Sequence, residues 1–282
     1  MTTEKRFDFH THSIASDGMN TPEELVRLAK DAGIRFLALS DHDTIAGYPA
    51  AKAEGDRVGL PVLPSLEIDN EYGQELHILG LGVDPESPVL RDAMELSLER
   101  RNRRNEGMLA NLRAIGIDVY PYIDWNGPGT VTRMNFARAL RDMGVCRDVS
   151  EAFSRYMNQG KPGYFRVPRF TPTETIDIIR RSGGIPTIAH PCHLKGNVHS
   201  IVSELTEMGI GGLEAYYPTS TPGQTELFVS LAAQHGLIVS CGSDYHGPDR
   251  PRNPLGSAWQ PVPELECTWD LFARLFGIGP AV

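Results

Sequence analysis

Short apolar runs alternate with amphipathic stretches over residues 6–83 and again from 171 onward, the rhythm of strand and helix in an α/β sheet. Arg6–Phe9 predicts a first strand. Thr21-Pro22-Glu23-Glu24 then offers an N-cap, a proline at the first helical position and an acid set for a capping box, with Gly33 as the stop. Phe36–Ser40 predicts a second strand, residues 45–57 a second helix, Pro61–Leu66 a third strand and Leu76–Leu81 a fourth. After Pro88 the pattern changes. Residues 89–115 predict a long polar helix rich in Arg and Glu, and shorter helices follow at 133–143 and 149–158. Gly127-Pro128-Gly129 and the turn at Gly160–Gly163 break this stretch up. It has no strand set of its own, so 88–168 reads as a helical insertion into a unit formed by 1–87 and 169–282.

Alternation resumes with a helix at 172–182, strand Ile185–Ala189, a helix at 198–208, strand Gly212–Tyr216, a helix at 222–235 and strand Leu237–Cys241. Seven strands with intervening helices predict an α/β fold, a parallel sheet closed into a (β/α)7 barrel. In such barrels the chemistry gathers at the C-terminal ends of the strands. Those ends carry His10-Thr11-His12, Asp41-His42-Asp43, Glu67, His190 and Asp244-Tyr245-His246. Residues 10 and 12 share one face of an extended chain, so both imidazoles can point at one ion. Asp17 follows in the loop Ser16-Asp17-Gly18. His77, near the start of its strand, fits this scheme less neatly.

Six of the nine histidines (10, 12, 42, 77, 190 and 246), with Asp17, Glu67 and Asp244, make nine candidate ligands, enough for two or three divalent ions. Nitrogen and oxygen donors without thiolate suit Mn, Fe or Zn. The four cysteines are scattered without a CxxC pair, which disfavours a zinc–thiolate site and fits reduced thiols in a cytoplasmic protein. A net charge of −9 argues against a broad surface for duplex nucleic acid. No apolar run approaches the ~18 residues that span a bilayer. An acidic surface still tolerates an anionic substrate where metals supply the positive charge.

These residues carry a resemblance. His10-x-His12 with Asp17, Ser40-Asp41-His42-Asp43, Glu67, His77, Ala189-His190-Pro191 and Ser243-Asp244-x-His246 resemble the motif set of the PHP (polymerase and histidinol phosphatase) family of metal-dependent phosphoesterases. The stretches between are similar to stand-alone members that act on nucleotides, such as nucleoside 3′,5′-bisphosphate phosphatases. The resemblance implies a distorted (β/α)7 barrel and a ligand grouping. One metal falls to His10, His12, Glu67 and Asp244. A second takes bridging Glu67 with His77 and His190, and a third takes Asp17, His42 and His246. It implies in-line attack on phosphorus by a metal-bridging hydroxide held by Glu67 and Asp244. Three divalent ions against three carboxylates and that hydroxide leave about +2, which suits a phosphomonoester dianion.

Arg133 lies in a stretch that resembles an Arg-x-His-x-Ala motif whose Arg contacts substrate phosphate, with Asn135 here in place of the His. It either binds phosphate or caps its helix. Lys161, in Gly160-Lys161-Pro162, either reaches a phosphate as a point charge or is a solvated loop residue. His193 stands where many relatives carry Arg, and is a candidate phosphate contact or leaving-group proton donor. Asp41 and Asp43 are expected to orient imidazole without ligating metal. Arg100, Arg101, Arg103 and Arg104, interleaved with Glu, read as a solvated helix face. His199 and His235 fall on helices and read as structural.

The expected activity is hydrolysis of a phosphate ester of a small nucleotide. A cyclic phosphodiester, a short oligonucleotide 5′ end or a histidinol-phosphate-type substrate stays open within the class. Outside it stand an amidohydrolase-type amide or lactone hydrolase, which usually bears a bridging lysine on strand four, and a non-catalytic binding module on the same barrel.

Overall fold

The computed structural model describes residues 7–127 and 129–278; Arg6 of the expected first strand and Pro128 of the expected 127–129 break lie outside them. Seven strands lie side by side in chain order: β1 (Phe7–Asp8), β2 (Phe36–Leu39), β3 (Val62–Asp69), β4 (His77–Leu81), β5 (Ile185–Ile188), β6 (Gly212–Tyr216) and β7 (Ile238–Cys241). The seam between β7 and β1 is drawn together by backbone bonds. Phe9 N–H donates to Cys241 O at 3.1 Å, Asp244 N–H to His10 O at 2.8 Å and His12 N–H to Tyr245 O at 2.9 Å. The result is a nearly closed barrel.

One strand runs the other way. β4 pairs antiparallel with both β3 and β5, whereas the remaining neighbours are parallel. This corrects the all-parallel expectation. The link over residues 70–76 is shorter than the roughly dozen residues a parallel crossover needs, so the chain can only return beside β3 as a hairpin. The reversal also resolves the misfit of His77. The first residue of β4 pairs with Asp69, the last of β3, and so reaches the same barrel end as Glu67.

Helices α1 (Pro22–Asp31), α2 (Tyr48–Val58), α6 (Pro172–Arg181), α7 (Val198–Met208) and α8 (Pro222–His235) flank the strands. Thr21 forms the expected capping box at α1, and Thr171 forms a second one at α6. A further helix that the sequence reading did not anticipate, α9 (Pro263–Leu275), covers one end of the core. Its Phe272 ring meets Phe9 at 5.0 Å and its Trp269 meets Phe36 at 6.0 Å. The main core runs from Phe7, Phe9 and Leu63 through Ile78, Ile188 and Leu213 to Phe272.

Between β4 and β5 the chain forms α3 (Pro88–Ala114), α4 (Arg133–Asp142) and α5 (Val149–Ala152), the last running into a π-helical turn at Phe153–Met157. These helices bury a cluster of their own around Met108, Leu112, Phe136, Leu140 and Met157. Among the described residues no helix is long and apolar enough to cross a membrane.

Candidate metal centre

The nine side chains expected to act together meet at one end of the barrel. His10 and His12 leave β1 fully buried, with ring centroids 5.2 Å apart. Glu67, at 1 % exposure, is the hub. Its Oε2 lies 3.1 Å from His42 Nδ1, 3.3 Å from His10 Nε2 and 3.4 Å from His12 Nε2. Its Oε1 lies 2.9 Å from His77 Nδ1 and 3.0 Å from His190 Nε2. Asp244 Oδ1 stands 3.3 Å from His12 Nε2 and 3.6 Å from His10 Nε2. Asp17 Oδ1 stands 3.2 Å from His246 Nε2 and 3.9 Å from both His42 and His12.

Three overlapping sets bring donor atoms within 4.8 Å of one another: His12, Asp17, His42 and His246; His10, His12 and Glu67; and His42, Glu67 and His77. Their partition differs in detail from the grouping the resemblance implied, since His42 shares a set with Glu67 and His77.

The chemistry of these atoms fits cations. His10 Nε2, both ring nitrogens of His12, His42 Nδ1, His77 Nε2, His246 Nε2 and Glu67 Oε2 are buried without a hydrogen-bond partner. Orphaned buried polar atoms are costly, and these seven, on six side chains gathered at one pocket, fit bound cations to which each side chain can offer one lone pair. Burial opposes ionisation of Glu67, but His10, His42 and His77 hold its carboxyl well below the usual range. Burial likewise opposes Asp244, which His246 and Arg250 pull well below it. Burial and the neighbouring His246 push the His12 imidazolium well down, leaving a neutral ring, the form that ligates metal. Backbone strain marks the site too. His190 and Asp244 adopt φ of 28° and 53°, and Asp43 of 51°, all unusual for residues other than glycine.

Glu214 and Arg250, which shape the site, were not anticipated as doing so. Glu214, buried within β6, accepts from His10 Nδ1 at 3.1 Å and from the His190 N–H at 2.6 Å. A carboxylate on the far ring nitrogen fixes the tautomer and turns Nε2 toward the pocket. The signal was there, a lone acid in the apolar strand Gly212–Tyr216. Tyr217 Oη and Arg250 Nη1 both donate to Asp244 Oδ2 at 2.8 Å, leaving Oδ1 to face the imidazoles.

The flanking aspartates differ from expectation. Asp41 accepts from Ser13 N–H and Oγ–H at 2.8 Å and from Ser16 Oγ–H at 2.6 Å, so it shapes the loop that carries Asp17 instead of orienting an imidazole. Asp43 pairs with Arg101, whose Nε donates to Oδ2 at 2.9 Å. The solvated-face reading of the arginine run holds for exposed Arg103 and is corrected for Arg101 and Arg104. Arg101 is 7 % exposed, and Arg104 is only part exposed, because α3 packs over the barrel mouth.

Above the pocket lies a cleft of about 360 Å³ lined by Asp17, His42, His77, Arg101, Arg133 and Arg250, among others. Arg133 opens α4 and faces this cleft, while Asn135 closes the capping box on Thr132. His193 is exposed, its ring 4.9 Å from His190 and 5.3 Å from Tyr217. Lys161 is exposed on its turn and does not line the cleft. His199 and His235 lie on α7 and α8, away from the pocket.

A nearly closed barrel with convergent His, Asp and Glu at one strand end defines the class as a divalent-metal enzyme fold. The PHP domain signature matches residues 8–120. The chain is 34 % identical over 281 residues to the 5′-3′ exoribonuclease Rnm of Salmonella typhimurium, covering 95 % of this chain and 94 % of that one. It is 32 % identical over 276 residues to a 3′,5′-nucleoside bisphosphate phosphatase of Chromobacterium violaceum, covering 95 % and 97 %. Among solved structures, one from Chromobacterium violaceum, described as an amidohydrolase with bound sulfate and no metal, superposes with a TM-score of 0.84 at 30 % identity over 94 % of this chain and 96 % of that one. A candidate metal-dependent phosphoesterase from Bifidobacterium adolescentis gives 0.82 at 27 % identity over 98 % and 97 %. This chain belongs to the PHP family.

Proposed function

We propose that the chain hydrolyses a phosphate ester of a small nucleotide, a nucleoside 3′,5′-bisphosphate or a nucleoside monophosphate. The reaction class follows from family membership together with relatives that are a phosphatase and an exoribonuclease, both hydrolases of phosphoester bonds. The observation that carries the reading is the set of seven orphaned donor atoms at the floor of an arginine-walled cleft. Metal below and guanidinium above suit a phosphate dianion and give an amide or lactone no matching charge.

His10, His12, Glu67 and Asp244 would hold one ion, Glu67 with His77 and His190 a second, and Asp17, His42 and His246 a third. When bound, two or three Mn, Fe or Zn ions supply Lewis acidity toward the phosphoryl group and the attacking water. The protein does the rest. Glu214 keeps His10 in one tautomer, and Tyr217 and Arg250 keep Asp244 aimed. Arg133 binds a phosphoryl oxygen from the start of α4. His193, whose imidazolium is disfavoured by partial desolvation of its ring and by His190, regains its proton beside a bound dianion and passes it to the leaving oxygen. Exposed Lys161 draws anions toward the mouth.

A second reading, removal of nucleotides from the 5′ end of a short oligonucleotide, is favoured by one observation. Past Arg133 the cleft continues into a cavity of about 690 Å³ lined by Tyr72, Tyr164, Arg166 and Arg169. Phosphate release with added Mn²⁺ from AMP, adenosine 3′,5′-bisphosphate, histidinol phosphate, a ribose cyclic phosphate and a 5′-phosphorylated oligonucleotide tests both, beside a chelator blank and an amide and lactone panel. Hydrolysis confined to amides or lactones defeats the proposal.

A further inference from the structure

The ligands assigned to the third ion, Asp17, His42 and His246, differ from the others in what holds them. Glu67 and His77 lie within β3 and β4, and the seam between β7 and β1 locks the backbone beside His10, His12 and Asp244. Asp17 and His246 stand further out, on the loops that follow β1 and β7. A ligand on a loop binds weakly unless the loop is ordered beforehand, because the ordering entropy is subtracted from the affinity.

One helix of the insertion grips both loops. Arg138 of α4 donates from Nη1 to the Asp17 carbonyl at 3.1 Å, and its Nε lies 3.5 Å from Oδ2 of Asp249, which closely follows His246. Arg141, one turn further on, stands 3.7 Å from the same carboxylate oxygen. The chain entering α4 adds a backbone bond, from Thr130 N–H to Ala15 O at 3.0 Å. Here the two backbones touch, since a methyl group placed on Gly129 would lie 2.0 Å from Ile14 O. The remaining ligand, His42, precedes Asp43, which Arg101 of α3 holds. Each ligand of the third set is thus carried by a segment fastened to the insertion. Arg138 itself does not line the cleft.

We infer that the helical insertion completes the third ion site, with Arg138 as the positioning residue that couples the two. Docking of α4 orders Asp17 and His246 for the ion. By linkage, the bound ion strengthens that docking by the same factor. This rests on the metal assignment made above and not on the identity of the substrate.

The test compares Mn²⁺ binding, read by elemental analysis after equilibrium dialysis, in the wild type, Arg138→Met, Arg138→Lys and Gly129→Ala. The wild type should bind three ions. Arg138→Met should weaken one of them about tenfold, the lower end of the cost of losing an orienting partner, and spare the other two. Arg138→Lys should restore part of that affinity. Gly129→Ala, which leaves every charge in place, should weaken the same ion. Amide hydrogen exchange over residues 129–142 should slow in the wild type as that ion is filled, and less so in Arg138→Met. Equal weakening of all three ions, affinities unchanged in both Arg138→Met and Gly129→Ala, or exchange indifferent to Mn²⁺ overturns the coupling. A wild type that holds just two ions overturns it as well, and leaves the phosphoesterase reading standing. A wild type that binds no ion overturns the metal assignment and the coupling with it. Ion binding as expected without phosphate release overturns the phosphoesterase reading alone.

Discussion

Glu214 and His10, separated by 204 residues of chain, meet in the barrel with Oε1 3.1 Å from Nδ1. Burial opposes the His10 imidazolium, yet Glu214, Glu67 and Asp244 together raise its pKa well above the ordinary value. Without Glu214 the ring can rotate or take the other tautomer, and Nε2 no longer faces Glu67. Glu214→Gln should therefore weaken metal retention and activity by about 10–100-fold, the usual cost of losing such a partner. Elemental analysis after dialysis against graded chelator reads the first effect separately from turnover. Wild-type retention in the variant would remove the orienting role.

Gly242 presses against the same pair. A methyl group placed on it would lie 2.1 Å from His10 Cβ and 2.4 Å from Glu214 Oε1. Gly242→Ala must displace one or both, so we expect a loss of about 1–3 kcal/mol in urea unfolding together with weaker metal retention. A variant as stable and as metal-loaded as wild type would show that this wall of the pocket yields.

The parts of this site that were legible in the sequence are those fixed by local chemistry. His10-x-His12 after Phe7–Phe9, Asp41-His42-Asp43 after β2 and Asp244-x-His246 after β7 each announce a strand end that bears ligands, and strand ends converge in a barrel. What was not legible depended on pairing. The direction of β4, and with it the place of His77, follows from a hairpin whose partners lie on β3 and β5. Arg101 looked like one more solvated charge until α3 was laid across the mouth and its partner Asp43 came from β2's exit loop. Asp41 flanks a ligand in sequence, but its oxygens turn back to Ser13 and Ser16.

Arg101 and Asp43 fasten α3 to the barrel through a pair in which both side chains are about nine-tenths buried. Arg101→Met leaves the Asp43 charge buried and unpaired, which should cost about 3–5 kcal/mol by urea unfolding. Asp43 has φ of 51°, a conformation that asparagine tolerates well. Adding Asp43→Asn should accordingly recover part of the loss. A double variant no more stable than Arg101→Met alone would mean that the charge is not the cause.

Metal removal should be visible in stability as well as in activity. Seven donor atoms lack protein partners, so ions that bind only the folded chain stabilise it by mass action. Free metal at about a hundred times its Kd contributes about 2.7 kcal/mol. Chelator should lower Tm and abolish phosphate release, and added Mn²⁺ should restore both. A Tm indifferent to chelator and to Mn²⁺ would argue that these atoms do not hold ions.

Acid sensitivity has a source far from the pocket, between α1 and α2. Glu54 accepts from Arg57 Nε at 2.8 Å and Nη2 at 2.7 Å, and from Arg27 Nη1 at 2.8 Å. The Arg57 bonds foremost, opposed by desolvation and aided by Arg27, hold its carboxyl down to about 2 from an ordinary 4.5. The folded pKa is the lower one, so between these values the unfolded chain binds more protons. The stabilisation is complete above about 4.5 and is lost as pH falls toward about 2. In chelator-treated protein, where metal release does not enter, the urea midpoint of wild type should exceed that of Glu54→Gln at neutral pH. That margin should shrink once the pH passes below about 4.5. A margin that stays constant or widens on acidification would assign the acid response to other groups.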